Sequence, residues 1–178
     1  MKEEVIMAGF GGQGVMSIGQ LLSYAGMKEE KEVSWMPSYG PEMRGGTANC
    51  TVIVSDEMIP SPLTDHPNST IVMNRPSQDK FAPKVKEGGL VVTNSSLIDA
   101  EIERNDIDVI KVPANEIADE IGSSRIANMV MLGAYLARKG TVSLDTVKES
   151  LENVLPKRRH DLIPMNKEAL DRGFELGQ

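Results

Sequence analysis

The stretch "AGFGGQG" at residues 8–14 constrains this chain most. It follows the apolar run Val5-Ile6-Met7-Ala8, which has the length and composition of a buried strand. It precedes Val15, Met16, Ile18, Leu21, Leu22 and Ala25, whose spacing is helical over Val15–Met27. The order is strand, glycine turn, helix. Gly9, Gly11 and Gly14 satisfy G-x-G-x-x-G. Glycine permits positive φ and close backbone approach. A helix starting near Gly14 would point unpaired N–H groups and positive dipole at whatever lies above the turn. That is an anion site in waiting, and Gln13 adds an amide to it.

The motif alone leaves three readings open: contact with a phosphate or pyrophosphate, a purely structural turn, and a nicotinamide or flavin site. The third lacks support downstream. A dinucleotide fold wants an acidic residue at the end of the second strand to hold the ribose. Here Glu29, Glu30 and Glu32 come before the second strand, Val33–Met36, and Met36-Pro37 closes it. A second domain to carry a substrate is also missing from the 178 residues.

The next segment, "PSYGPEMRGGTA" (37–48), is rich in Pro and Gly and reads as a loop before the β-rich run Asn49–Val54. About ten residues are too few for a parallel crossover, so this pair is expected to be antiparallel and the sheet mixed. Strands are expected at Ser69–Met73, Leu90–Thr93 and Ile107–Val112. Helices are expected at Ser77–Val85, from Pro113 through Ile121, at Ala127–Arg138 and at Pro164–Phe174, with Ser143 capping one more. Ala127–Arg138 is apolar nearly all round, the mark of a buried helix, and Gly133 within it suggests close packing. The alternation predicts an α/β fold: one Rossmann-like three-layer domain over 1–178, with a mixed, mostly parallel sheet. The loops at 9–14 and 37–48 both follow strands, so they are expected at one end of it.

Composition narrows the function classes. The net charge of −7 and the lack of a basic face argue against nucleic acid. The basic cluster Lys157-Arg158-Arg159-His160 reads first as a solvated loop, and otherwise as a patch for an acidic partner or a phosphate. One cysteine, Cys50, cannot hold an iron–sulfur cluster and sits in a strand-like run, as a buried inert thiol would. His66 and His160 have no metal-ligand spacing. No leader-like segment and no membrane-spanning run are seen, so a cytoplasmic location is expected.

The loop "SYGPEMRGG" sets Ser38, Tyr39, Glu42 and Arg44 on a frame that includes Gly45 and Gly46. Arg suits bidentate recognition of carboxylate or phosphate. A Glu42–Arg44 pair pinning the loop and a contact to an anionic ligand or partner subunit both remain open.

Together, "GFGGQGV" and "PSYGPEMRGGTANCTVIVSD" resemble the gamma subunit of 2-oxoacid:ferredoxin oxidoreductases, with the 2-oxoglutarate type nearest in pattern. The pyruvate type carries a variant second loop that lacks the Tyr and one paired glycine. The resemblance extends to "IAN" and "LGAYLA" within 126–137 and to the C-terminal helix. It implies a non-catalytic subunit of a complex that converts a 2-oxoacid and coenzyme A to acyl-CoA, CO2 and reduced ferredoxin. It implies thiamine diphosphate with magnesium between alpha and beta subunits, and iron–sulfur clusters in the delta or beta subunit. The expected partners are the alpha, beta and delta subunits and ferredoxin; a homo-oligomer of the isolated chain stays open. The family's gamma domain is associated with the coenzyme A side of the active site. The residues expected to face that ligand are Gly9, Gly11, Gly12, Gln13, Gly14, Ser38, Tyr39, Glu42, Arg44, Gly45 and Gly46.

Overall fold

The computed structural model describes residues 1–38 and 47–178. Residues 39–46 fall between them, so the expectations placed on Tyr39, Glu42, Arg44, Gly45 and Gly46 lie outside the described residues.

The chain runs β1 (Lys2–Phe10), α1 (Val15–Lys28), β2 (Glu32–Ser38), β3 (Thr47–Ser55), β4 (Ser69–Val72), α2 (Arg75–Phe81), β5 (Leu90–Asn94), β6 (Asp108–Val112), α3 (Ala114–Ile121), α4 (Ala127–Lys139), α5 (Leu144–Val154) and α6 (Ile163–Gly177). The strands form one sheet in the order β2-β3-β1-β4-β5-β6. β1, β4, β5 and β6 run parallel, while β3 is antiparallel to both β1 and β2. The expected mixed, mostly parallel sheet is therefore present, with the antiparallel pair where the short loop required it.

Alternation along β1 explains the layers. Val5 and Met7 point into a large core shared with α1 and α3 to α6, while Ile6 and Ala8 point to a smaller one with Phe81 of α2 and Ile98. The layers are thus unequal: five helices cover one face and α2 the other. α2 begins two residues earlier than its apolar spacing suggests because Asn74 caps it, accepting from the Ser77 N–H at 3.0 Å. A 3₁₀ turn at Ala82–Lys84 follows it. Ser143 caps α5 as expected, accepting from the Thr146 N–H at 3.1 Å.

Two register facts position the site. Phe10 at the end of β1 pairs with Thr47, and Ser38 at the end of β2 pairs with Asn49. The glycine loop and both ends of the second loop therefore sit at the same edge of the sheet, the carboxyl edge of the parallel strands. After β1 the chain builds outward to β2 and β3 on one side, then crosses to β4 on the other. The glycine loop stands at this reversal, where open α/β sheets form their ligand crevice.

Candidate functional site at the carboxyl edge

The glycine loop is held from within. Gln13 Oε1 accepts from the Phe10 N–H at 2.6 Å and from Asn74 Nδ2 at 3.4 Å, and the Gln13 N–H donates to the Phe10 carbonyl at 3.2 Å. A Cβ at Gly9 would lie 2.7 Å from that Gln13 oxygen and 2.9 Å from Met73 Cβ, so glycine is a packing requirement there. Gly14 is the N-cap of α1 at φ 78°, a left-handed conformation that glycine adopts without penalty. No side chain caps α1. The first N–H groups of the helix therefore have no internal partner, and they carry its positive end.

Among the described residues, three concavities meet at Gly12. One, of about 570 Å³, is walled by Phe10, Val15, Met16, Trp35 and Ala48. A second, of about 320 Å³, runs between α1 and the α4 and α6 starts, lined by Ser17, Ile126, Asn128, Met129, Leu162 and Asn166. A third, of about 200 Å³, lies over the β1/β4 reversal. Arg159 lines the first two and Arg125 the last two. Among the described residues no Asp or Glu lines any of them, in a chain with 26 acidic residues. Arg75, Arg104, Arg138 and Arg172 are held in ion pairs. Arg125 and Arg159 make none among the described residues. Two guanidiniums without an ion pair among the described residues, beside the start of α1, give the described part of the edge a positive field inside a negative protein.

Of the residues expected here, Gly11, Gly12, Gln13 and Gly14 line these concavities, while Gly9 packs beneath them. Ser38 is half-buried at the end of β2 and is not among the lining residues. The basic cluster is exposed at Lys157, Arg158 and Arg159, as a solvated segment would be. Lys157–Leu162 is a 3₁₀ turn and not an open loop, with His160 Nε2 against the Leu155 carbonyl at 2.9 Å. That turn carries Arg159 to the glycine loop. Arg125, Asn128 and Asn166 gave no separate signal in the sequence, because helical segments more than a hundred residues downstream of the glycine loop bring them in.

The dinucleotide reading weakens further in three dimensions. β3, and not β2, is the neighbour of β1 on this side, so the place of a ribose-binding acid is taken by an antiparallel strand. Cys50 lies under α1, with its Sγ 3.5 Å from the Val15 carbonyl, and burial pushes its thiol up to about 12. It is a packing residue, as its sequence setting suggests. Among the described residues no group of three or more His, Cys, Asp or Glu is arranged to hold a metal. The chain's one cysteine cannot supply the several thiolates an iron–sulfur cluster needs. Among the described residues no helix is long and apolar enough to cross a membrane.

Fold and edge together define an α/β domain with a cationic cleft, free of carboxylates among the described residues, at its strand-order reversal. The chain belongs to the pyruvate ferredoxin/flavodoxin oxidoreductase family, whose model matches residues 4–176. It is 41% identical over 174 residues to the ketoisovalerate oxidoreductase subunit VorA of Methanothermobacter marburgensis, covering 96% of this chain and 36% of that one. It therefore spans about a third of the length of that relative. It is 32% identical over 181 residues to the 2-oxoglutarate synthase subunit KorC of Methanocaldococcus jannaschii, covering 100% of this chain and 95% of that subunit. The fold matches the keto/oxoacid ferredoxin oxidoreductase gamma subunit of Geobacter sulfurreducens, with TM-score 0.85, 26% identity and 98% of both chains covered. It also matches the 2-oxoglutarate:ferredoxin oxidoreductase of Magnetococcus marinus, whose structure has 2-oxoglutarate, coenzyme A and succinyl-CoA bound. There the TM-score is 0.87 at 28% identity, over 99% of this chain and 31% of that one.

Proposed function

We propose that this chain is the non-catalytic gamma subunit of a 2-oxoacid:ferredoxin oxidoreductase. In it, 2-oxoglutarate and coenzyme A would yield succinyl-CoA, CO2 and reduced ferredoxin. The carrying observation is the start of α1 under Gly12 and Gly14, uncapped by any described side chain, with the Arg159 guanidinium, which has no ion pair among the described residues, beside it. That arrangement suits a phosphate of coenzyme A: α1 N–H groups donate to it and Arg159 neutralises it. Ser17, in the first turn of α1, adds a hydroxyl. Tyr39, Glu42, Arg44, Gly45 and Gly46 remain proposed contributors from the second loop, whose ends at Ser38 and Thr47 meet this edge. Thiamine diphosphate, magnesium and the iron–sulfur clusters would belong to alpha, beta and delta partners, in a cytoplasmic complex.

The full-length likeness to a 2-oxoglutarate synthase subunit supports 2-oxoglutarate as the acid. The higher identity to a ketoisovalerate subunit supports a branched-chain 2-oxoacid as the second reading. The test is CoA-dependent reduction of a viologen dye by the reconstituted complex, with each acid in turn. The expected result is no turnover by this chain alone, turnover with its partners, and preference for 2-oxoglutarate. Arg159→Gln should raise KM for coenzyme A about tenfold, with kcat little changed. Turnover by the isolated chain, or an unmoved KM, overturns the reading.

A further inference from the structure

The crevice of about 200 Å³ over the β1/β4 reversal is lined by Gly12, Gln13, Met73, Asn115, Ser124, Arg125, Ala127 and Asn128. Its hydrogen-bond economy is one-sided. Gln13 spends its amide oxygen on the Phe10 N–H and Asn74, leaving its NH2 group without an acceptor among the described residues. Asn115 spends its amide oxygen on Asn94 Nδ2 at 2.8 Å, leaving its NH2 group in the same condition. The Ser124 hydroxyl and the Arg125 guanidinium likewise have no acceptor among the described residues. The start of α3 takes no part, because Ser96 Oγ already accepts from the N–H groups of Asn115 and Glu116. So the internal bonds orient both amides, and what remains for the crevice is four donors, one of them charged, with no carboxylate in the wall among the described residues. Such a set fits an oxyanion and would reject a cation.

We propose that this crevice is a second oxyanion subsite, taking a phosphate or carboxylate group held by Gln13, Asn115, Ser124 and Arg125. It lies across Gly12 from the Arg159 position. Its occupant has two chemical sources: a second phosphate on the ligand seated at the glycine loop, which rests on the coenzyme A reading above, or a separate small carboxylate.

Isothermal titration of the full chain tests it, with inorganic phosphate, acetate, coenzyme A and dephospho-coenzyme A as probes. Two variants are used. Arg125→Gln removes the charge from an exposed side chain. Asn115→Asp keeps the oxygen that Asn94 needs while turning the free donor into a negative acceptor. Both should weaken inorganic phosphate by about tenfold or more, with circular dichroism unchanged. If the source is the second phosphate, coenzyme A binds the wild type more tightly than its dephospho form, and Arg125→Gln removes that difference. If the source is a separate carboxylate, acetate binds in the presence of saturating coenzyme A, and Arg125→Gln abolishes it. No phosphate binding to the wild type, or unchanged phosphate affinity in both variants, overturns the subsite. Phosphate binding that depends on Arg125 without any coenzyme A binding supports the subsite and overturns the coenzyme A reading.

Discussion

Asn128 donates from Nδ2 to the carbonyl oxygen of Gly14 at 3.0 Å, joining the first turn of α4 to the N-cap of α1 across 114 positions of sequence. A Cβ on Gly14 would collide with that same amide. The bond fixes the height of the glycine turn over the helix, and Asn128 is itself fixed by accepting from the Met129 N–H at 2.9 Å. Asn128→Asp keeps the shape and removes the donor. It also puts a carboxylate into a cleft wall that has none among the described residues. Stability should fall by about 1–3 kcal/mol in urea unfolding. Affinity for coenzyme A, measured by titration, should fall about tenfold or more from charge repulsion. Asn128→Leu loses that bond and the one from the Met129 N–H but adds no charge, so it should cost stability with a smaller loss of affinity than Asn128→Asp.

Gly14→Ala meets two obstacles at once. Its φ of 78° is a conformation that L side chains rarely adopt, and the methyl would push Asn128 off the turn. Strain of this kind costs of order 1–3 kcal/mol. Gly12→Ala at φ 89° has the strain but open space around it. The expected order by thermal unfolding is wild type, then Gly12→Ala, then Gly14→Ala as the least stable.

The elements around β1 were legible because their signals are contiguous: strand, glycine turn and helical spacing occupy one run of sequence. The antiparallel β2–β3 hairpin was legible from loop length alone. Gly133 also announced itself, as a glycine costs helix stability unless packing requires it. The cleft was only half legible. Arg125, Asn128 and Arg159 reach Gly12 through the packing of α4 on α1 and of α6 on α4, and no local pattern marks a residue whose role is set by a partner over a hundred positions away. Arg159 gave no distinct signal, since a run of three cations looks like a solvated surface and all three are exposed; the 3₁₀ turn at Lys157–Leu162 sets Arg159 among the residues that line the cleft.

Packing of α4 on α6 supports that cleft, and its tolerance is small. A Cβ on Gly173 would lie 2.8 Å from the Val130 carbonyl carbon, and one on Gly133 would lie 2.9 Å from the Phe174 nitrogen. Both obstacles are backbone and cannot turn aside. Ala gains about 1 kcal/mol over Gly in helix propensity. Forcing the helices apart costs about 1–3 kcal/mol or more, so the clash wins. Gly173→Ala should lower Tm by about 2–4 °C per kcal/mol of net loss. An unchanged or higher Tm would show that the helices separate freely.

Cys50 is fully buried and its thiol sits near 12, so almost none is thiolate at neutral pH. The native chain should not react with a disulfide reagent at about pH 8, and denaturant should release one thiol per chain. Fast labelling of the native state would place Cys50 somewhere other than under α1.

Glu3 gives a pH dependence of unusual sign. Its carboxylate is buried between Ser69 of β4, whose Oγ donates to Oε1 at 2.5 Å, and Lys139 of α4, 3.5 Å from Oε2. Burial is the largest influence and pushes the carboxyl above its usual range; Ser69 and Lys139 pull it down without cancelling that. The folded chain therefore keeps this proton to higher pH than the unfolded chain does. Its contribution to stability is complete below the ordinary carboxyl value of 4.5 and is lost as pH rises through the folded value. Glu4, Asp56 and Asp106 behave oppositely. Their carboxyls are lowered, Glu4 by Lys86 and Lys2 against its own partial burial, Asp56 by the N-terminus and Lys31, and Asp106 by Arg104. Their contributions are present above the ordinary values and lost as pH falls. Glu3→Gln keeps an oxygen for Ser69 and cannot titrate. Urea unfolding from about pH 4 to about pH 8 should show the variant gaining on the wild type as pH rises, then a constant difference once Glu3 is fully ionised. A variant that instead loses ground as pH rises would mean that the Lys139 contact outweighs the burial of the carboxylate.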